Sequence, residues 1–163
     1  MERVSKRNYY LDIAQTVLER ATCLRRVYGA IIVKNDEIIS TGYNGAPRGR
    51  VNCSQLGYCN REQLNIPSGQ RYELCRSVHA EANAIISAAR RDMIGGTLYL
   101  VGRSAADGEL LHDTTSCAMC RRMIINSGIT RVVNRIGDDG IEIIDVQNWI
   151  VNDESIQPKA EAE

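Results

Sequence analysis

Phenylalanine is absent from this chain, and aromatic residues of any kind are scarce. The 163 residues include seven tyrosines and one tryptophan, so that the aromatic fraction is 5%. The hydrophobic core must therefore be built from aliphatic side chains and methionine. A chain of this length is expected to form one domain with one sizeable core, and we assign residues 1–152 to it and residues 153–163 to a polar tail.

Net charge is also lacking, because 20 basic residues balance 20 acidic ones. This balance gives no bulk attraction to nucleic acid, so we expect no nucleic-acid partner. No apolar run reaches membrane-spanning length, and residues 1–10 lack the apolar stretch of a signal peptide. The sequence therefore predicts a cytoplasmic protein without a membrane partner, in which thiols stay reduced.

Six cysteines in such a protein favour metal binding or burial over disulfides. Cys117 and Cys120 are three positions apart, and far upstream His79 and Glu81 are two positions apart. One imidazole and two thiolates supply three zinc ligands and leave a fourth position open, as catalytic zinc sites do. The two motifs together are close to H-x-E…P-C-x-x-C, the signature of the zinc nucleobase deaminases.

The residue types fit hydrolytic chemistry on an amino-bearing ring. Two thiolates and a neutral imidazole balance the charge of Zn²⁺ but leave it Lewis acidic, so a water in the open position would lose its proton near neutral pH. The resulting hydroxide would attack a ring carbon that carries an amino group. Glu81 is the predicted proton shuttle, since it lies within one helical turn of His79.

Hydrophobic periodicity predicts the order of the secondary structure. Helical patterns cover residues 5–22, 80–91 and 117–127. Strand-like runs lie at residues 30–33, 37–41, 97–101, 131–134 and 141–144, and a short helix follows. This order predicts an α/β fold, a three-layer α/β/α sandwich with a mixed sheet of about five strands. The strands joined through helices should be parallel.

Three segments resemble the deoxycytidylate (dCMP) deaminases, which have the cytidine-deaminase-like fold. They are the G-Y-N-G loop at residues 42–49, the segment around the histidine at 75–85, and the segment around the cysteine pair at 117–129. The resemblance implies hydrolysis of dCMP to dUMP and ammonia through attack at C4 of the base. It also implies a homo-oligomer, a hexamer or a dimer. Many members are activated by dCTP and inhibited by dTTP at a nucleotide site that requires Mg²⁺.

The resemblance also implies roles for particular residues of this chain. Zinc would be held by His79, Cys117 and Cys120, with Glu81 as the proton shuttle, and Asn44 would hydrogen-bond the sugar.

Further residues are candidates for contact with the substrate. Ala80, which lies between His79 and Glu81, is a further candidate for contact with the substrate. A monophosphate needs cationic or backbone donors, for which Arg26, Arg48 and Arg50 are candidates, since arginine suits bidentate phosphate binding.

Four further cysteines lie outside the motif pair, and these are Cys23, Cys53, Cys59 and Cys75. Some dCMP deaminases look similar here and hold a second, structural zinc. Four thiolates around such an ion would order the long loop at residues 42–76, which has little apolar content. The alternative is four reduced, partly buried thiols.

Two departures from the family pattern bear on the substrate. Ser116 stands where the family usually has proline, and its hydroxyl could cap the following helix instead. Residues 102–115 form an insertion longer than expected. Two other functions therefore stay open: deamination of another substrate, such as a tRNA adenosine, guanine or a pterin-like ring, and a catalytically silent, zinc-stabilised nucleotide sensor.

Overall fold

A computed structural model describes residues 1–156 of the chain. Residues 157–163 of the predicted polar tail lie outside the described part. The elements, in chain order, are α1 (Lys6–Val17), β1 (Arg26–Lys34), β2 (Glu37–Tyr43), α2 (Cys53–Leu56), α3 (Asn60–Gln63), α4 (Ala80–Ile86), α5 (Arg90–Met93), β3 (Thr97–Ser104), α6 (Ala118–Ser127), β4 (Arg131–Ile136), β5 (Gly140–Asp145) and α7 (Val146–Val151).

The five strands form one mixed sheet in the order β2-β1-β3-β4-β5. Strands β3 and β4, which are joined through α6, pair in parallel, and the other neighbours are antiparallel. The predicted mixed sheet and the predicted parallel pair are both confirmed.

Helices cover both faces of this sheet. Ala30 and Ile32 of β1 join an apolar cluster that contains residues of α4, α6 and α7. Ile31 and Val33 of the same strand join a second cluster, which contains residues of α1. Successive side chains of a strand point to opposite faces, so β1 is apolar on both sides and needs a helical layer on each. The predicted three-layer α/β/α sandwich is confirmed.

Several boundaries differ from the sequence prediction. The helix predicted over residues 80–91 is interrupted, because α4 ends at Ile86 and α5 begins at Arg90 after an extended residue, Ala89. The bend brings Met93 into the core, where it is 3% exposed. The insertion predicted to begin at residue 102 begins later, since β3 continues to Ser104 and pairs there with β1. Within residues 1–156, no helix combines the length and apolar character needed to cross a membrane.

The long loop between β2 and α4 is organised by short elements rather than by a core of its own. It contains α2, α3 and a single 3₁₀ turn at Tyr72–Leu74. Arg61, in α3, donates hydrogen bonds from Nε and Nη2 to the carbonyl oxygens of Pro67 and Gln70. These bonds hold the irregular part of the loop close to the cavity described below.

Candidate functional site

The predicted zinc ligands meet between the starts of two helices on the same face of the sheet. His79 is the N-cap residue of α4, and Cys117 is the N-cap residue of α6. Nδ1 of His79 lies 3.5 Å from Sγ of Cys117 and 3.5 Å from Sγ of Cys120. The backbone N–H of Cys120 donates to the Cys117 sulfur at 3.5 Å, so this sulfur also caps α6. The expectation that Ser116 would cap the helix was therefore wrong.

These distances fit a zinc ion. With Zn–S near 2.3 Å and Zn–N near 2.0 Å, a tetrahedral angle separates nitrogen and sulfur by about 3.5 Å. Among residues 1–156, this trio is the one group of three or more potential ligands whose atoms all lie within 4.8 Å of one another. Three protein ligands leave one tetrahedral position for water or substrate, which is the arrangement of a catalytic site.

Hydrogen bonds within this group shift the pKa values of Cys117 and His79 in opposite directions. A hydrogen bond with Cys120 lowers the pKa of Cys117 to about 4, although burial opposes the shift, and His79 contributes further. Burial disfavours protonation of His79, but hydrogen bonds with Cys117 and Cys75 outweigh it and raise the pKa of His79 to about 10. Zinc must displace the protons of these groups, since it binds thiolate and neutral imidazole.

Glu81 lies in the first turn of α4 and is 5% exposed. Burial raises the pKa of its carboxyl group, while its backbone N–H and the charge of His79 oppose the shift. A raised pKa suits a group that must accept a proton and hold it briefly. Glu81, His79 and Cys117 line one cavity, together with Tyr28 and Asn44.

Asn44, the residue expected to hydrogen-bond the sugar, lies in the cavity wall, and its amide is held by β1. Its Oδ1 accepts from the backbone N–H of Tyr28 at 2.8 Å, and its Nδ2 donates to the carbonyl oxygen of Arg26 at 2.9 Å. A carboxamide has two donor hydrogens and two acceptor lone pairs, so one of each is left for a ligand. The side chain is therefore fixed in place but not saturated.

Ala80, Arg48 and Arg50, which were predicted to contact substrate, lie elsewhere. Ala80 is the first residue of α4 and is fully buried, and Arg48 and Arg50 are exposed on the loop after Gly45; none of the three is among the residues that line the cavity within the described part of the chain. The backbone oxygen of Ala80 comes so close to Gly42 that a Cβ there would lie 2.3 Å from it. Ala80 therefore serves the packing of β2 on α4.

Three arginines line the cavity, and two of them were not predicted. Arg26 does so and forms an ion pair with Asp113 at 3.2 Å. Arg25 and Arg61 also line it. No sequence motif marks either residue, because Arg25 precedes β1 and Arg61 belongs to a loop whose path depends on contacts between residues distant in sequence.

An aromatic contact on His79 was also missed. The Tyr72 ring meets the imidazole edge-on, with 4.8 Å between ring centres and an interplanar angle of 87°. The guanidinium carbon of Arg61 lies 4.5 Å from the centre of the same Tyr72 ring. Tyr72 thus limits the tilt of the imidazole from the side of the loop.

The four remaining cysteines gather beside the same cavity. Cys23, Cys59 and Cys75 line it, and all six cysteines of the chain are free thiols. Burial raises the pKa of Cys53, and the charges of Cys23, Cys75 and Cys59 add to the increase. Within residues 1–156, no three of these four thiols are as close together as the His79 group.

The fold and this site define a zinc-binding α/β sandwich with a buried carboxylate beside an open metal position. Residues 4–135 match the family described as the cytidine and deoxycytidylate deaminase zinc-binding region. The chain belongs to this family, as its motifs indicated.

Individual relatives agree with this assignment. The chain is 37% identical over 138 residues to the deoxycytidylate deaminase of Mycobacterium phage D29, and the match covers 82% of this chain and 96% of that protein. It is 34% identical to the deoxycytidylate deaminase of Schizosaccharomyces pombe, but spans only 37% of that longer protein. The crystal structure of the dCMP deaminase from cyanophage S-TIM5 in complex with dCMP and dUMP has the same fold, with a TM-score of 0.57 and 23% identity over 83% of this chain and 85% of that one.

Proposed function

We propose that the protein is a zinc-dependent hydrolase that converts dCMP and water to dUMP and ammonia. The observation that carries the proposal is the convergence of His79, Cys117 and Cys120 beside the buried Glu81, in a cavity that three arginines line. Family membership and the names of the relatives support the substrate.

His79, Cys117 and Cys120 would hold the metal, and when bound it supplies a water acidic enough to attack near neutral pH. Glu81 would take one proton from the attacking water as the oxygen of that water bonds to C4, and would deliver the proton to the ring nitrogen N3. Glu81 would then carry the second proton of the water to the amino group as the bond from C4 to nitrogen breaks. Ammonia leaves and C4 becomes the carbonyl of dUMP, so atoms and charge balance.

Two residues are proposed to position the nucleotide. Asn44 would use its remaining amide hydrogen and lone pair on the sugar, and Arg26 lies in the cavity wall as a cation for the phosphate. The exposure of Arg48 favours a role outside the substrate cavity, such as contact with an effector nucleotide.

Purified protein should release ammonia from dCMP, with dUMP as the product on a chromatogram, and should not act on cytidine. Equal turnover of cytidine would show that the protein recognises neither the phosphate nor the deoxyribose. Tight nucleotide binding without turnover would support the silent sensor instead, and turnover of guanine, a pterin or a tRNA adenosine would point to another substrate.

A second, structural zinc on Cys23, Cys53, Cys59 and Cys75 is the finer part of the cofactor proposal. Two observations support it. Besides burial, the charges of Cys23, Cys75 and Cys59 raise the pKa of Cys53, and these three thiols line the cavity beside the loop that the metal would order. Metal analysis should give two zinc ions per chain in the native protein and one after Cys53→Ser. One zinc in both would leave these residues as reduced thiols.

The other proposals come from the family alone. They are a hexamer or dimer, and regulation by dCTP and dTTP with Mg²⁺; the cytoplasmic location remains the prediction made from the sequence. Light scattering tests the assembly. Rate measurements with each effector, in the presence and absence of Mg²⁺, test the regulation.

A further inference from the structure

Arg61 is a buried cation whose partners are all uncharged. Arg61 is 6% exposed. Its Nε and Nη2 donate to the carbonyl oxygens of Pro67 and Gln70 at distances of 2.6 to 3.1 Å. The Tyr72 ring lies against its guanidinium group. Carbonyl groups and a ring satisfy hydrogen bonds and pack well, but they do not neutralise a charge, and a buried charge without a counter-charge is costly.

The other two arginines of the cavity already have carboxylate partners. Nε of Arg25 lies 3.0 Å from Glu62, and Nη1 of Arg26 lies 3.2 Å from Asp113. Arg61 forms no ion pair with any residue from 1 to 156. It is thus the cavity arginine with unused capacity for an anion.

One nitrogen of Arg61 is left for such an anion. Within residues 1–156, Nη1 of Arg61 makes no hydrogen bond. It is also absent from the buried polar atoms that lack a partner, so part of its surface is accessible. Arg61 is almost entirely buried and lines the cavity, so we infer that an anion would reach Nη1 from that cavity. The bonds to Pro67 and Gln70 fix the guanidinium plane in advance, so little side-chain entropy is lost when a ligand binds.

We propose that Arg61 binds the 5′-phosphate of the substrate and so selects a nucleoside monophosphate over the free nucleoside. The proposal rests on the proposed function and names the residue that reads the phosphate. A phosphate supplies the missing negative charge, and arginine–phosphate hydrogen bonds are among the strong ones because both partners are charged. Arg26, which shares its charge with Asp113, would contribute less.

The test compares dCMP with deoxycytidine, which differ only in the phosphate. Arg61→Gln should lower kcat/KM for dCMP by about 10- to 100-fold and change that for deoxycytidine by less than about twofold. Arg91→Gln, at an exposed arginine on α5, is the matched control and should leave both values unchanged. Zinc content and circular dichroism establish that each variant is folded and loaded.

A purely structural Arg61, which only fastens the loop, predicts a different result. Arg61→Gln would then lower kcat/KM for dCMP and for deoxycytidine by the same factor, and the proposal would be overturned. If wild-type protein acts on neither compound, the proposed function itself fails, and this outcome is distinct from a wild-type enzyme whose preference for dCMP survives the substitution.

A binding measurement covers the case in which Arg61→Gln does not fold. Arg61→Lys keeps the charge but loses the planar fork. Wild-type protein should bind 2-deoxyribose 5-phosphate more tightly than 2-deoxyribose, and the preference should fall at least about tenfold in Arg61→Lys. An unchanged preference in this variant would also overturn the proposal.

Discussion

At the scale of single residues, the surroundings of Glu81 determine what its carboxyl group can do. Burial raises its pKa, and its place in the first turn of α4 puts it beside a zinc ligand without making it one. The ligand group within 4.8 Å contains His79, Cys117 and Cys120 and not Glu81. The proposed acid–base group is thus a neighbour of the candidate metal ligands and not one of them.

Glu81→Gln should therefore separate the two functions. The amide has nearly the same shape but cannot carry a proton, so we expect kcat to fall by about 10²- to 10⁴-fold while zinc content stays at the wild-type level. Metal analysis and steady-state kinetics on the same preparation check this. Loss of zinc in the variant would assign Glu81 to the metal and contradict the proposed role.

A second residue-scale effect links the start of α1 to the turn between β1 and β2. Nζ of Lys6 lies 2.6 Å from Asp36, and the Tyr10 hydroxyl also donates to this carboxylate. The hydrogen bonds with Lys6 and Tyr10 lower the pKa of Asp36 below its ordinary value of 3.8. The contribution of Asp36 to stability is therefore present above that value and is lost as the pH falls through the lowered pKa.

Asp36→Asn should reproduce this pH dependence. We expect it to lower the free energy of unfolding at pH 7, and the difference from wild type should shrink as the pH falls below about 3.8. Urea unfolding across this range measures it, with Asp139→Asn at another exposed turn as the control. A difference that stays constant down to pH 2 would show that the carboxylate charge is not involved.

At the scale of elements, α4 is held against the sheet by an unusually close approach of β2. A Cβ built on Gly42 would lie 2.3 Å from the backbone oxygen of Ala80 and 2.4 Å from the backbone nitrogen of Ala84. Both atoms belong to the helix that carries His79 at its N-cap. The glycine of the G-Y-N-G loop is thus a packing requirement for the metal site.

Gly42→Ala should push α4 away from β2. We expect a destabilisation of about 1–3 kcal/mol, together with weaker zinc binding, because the clash is with backbone that cannot rotate away. Thr41→Ala, at the exposed neighbouring position, should cost less than about 1 kcal/mol and leave zinc binding unchanged. Equal effects of the two substitutions on unfolding by urea would argue against the close approach.

At the scale of the whole molecule, the metal site joins two helices that are far apart in sequence. His79 begins α4, and Cys117 begins α6 after β3 has passed through the middle of the sheet. A ligand that binds only the folded chain stabilises it by about 2.7 kcal/mol at 100 times its Kd. Zinc is therefore expected to stabilise the packed arrangement of both helices.

Removal of zinc should lower the melting temperature accordingly. For a chain of this length we expect a decrease of about 5–10 °C on treatment with a chelator, restored by added zinc. Before any chelator is added, Cys120→Ser should already melt at a lower temperature than wild type, and the chelator should lower its melting temperature little further. An equal response in this variant would place the stabilising metal elsewhere in the molecule.

The sequence by itself determined the layers of the fold and the chemistry of the metal group. The apolar runs at residues 30–33 and 97–101 are local signals, and both lie in strands of the sheet, β1 and β3. The two metal motifs could also be recognised from the sequence, because zinc chemistry restricts the residue types and helix starts restrict their geometry.

The tertiary structure alone decided which cations reach the cavity. Arg61 enters it and Arg48 does not, although both lie in the long loop between β2 and α4. The path of that loop depends on contacts between residues distant in sequence, such as the ion pair of Arg25 with Glu62. Such contacts leave no periodic pattern in the chain, since each is made once and only after the sheet and helices have assembled.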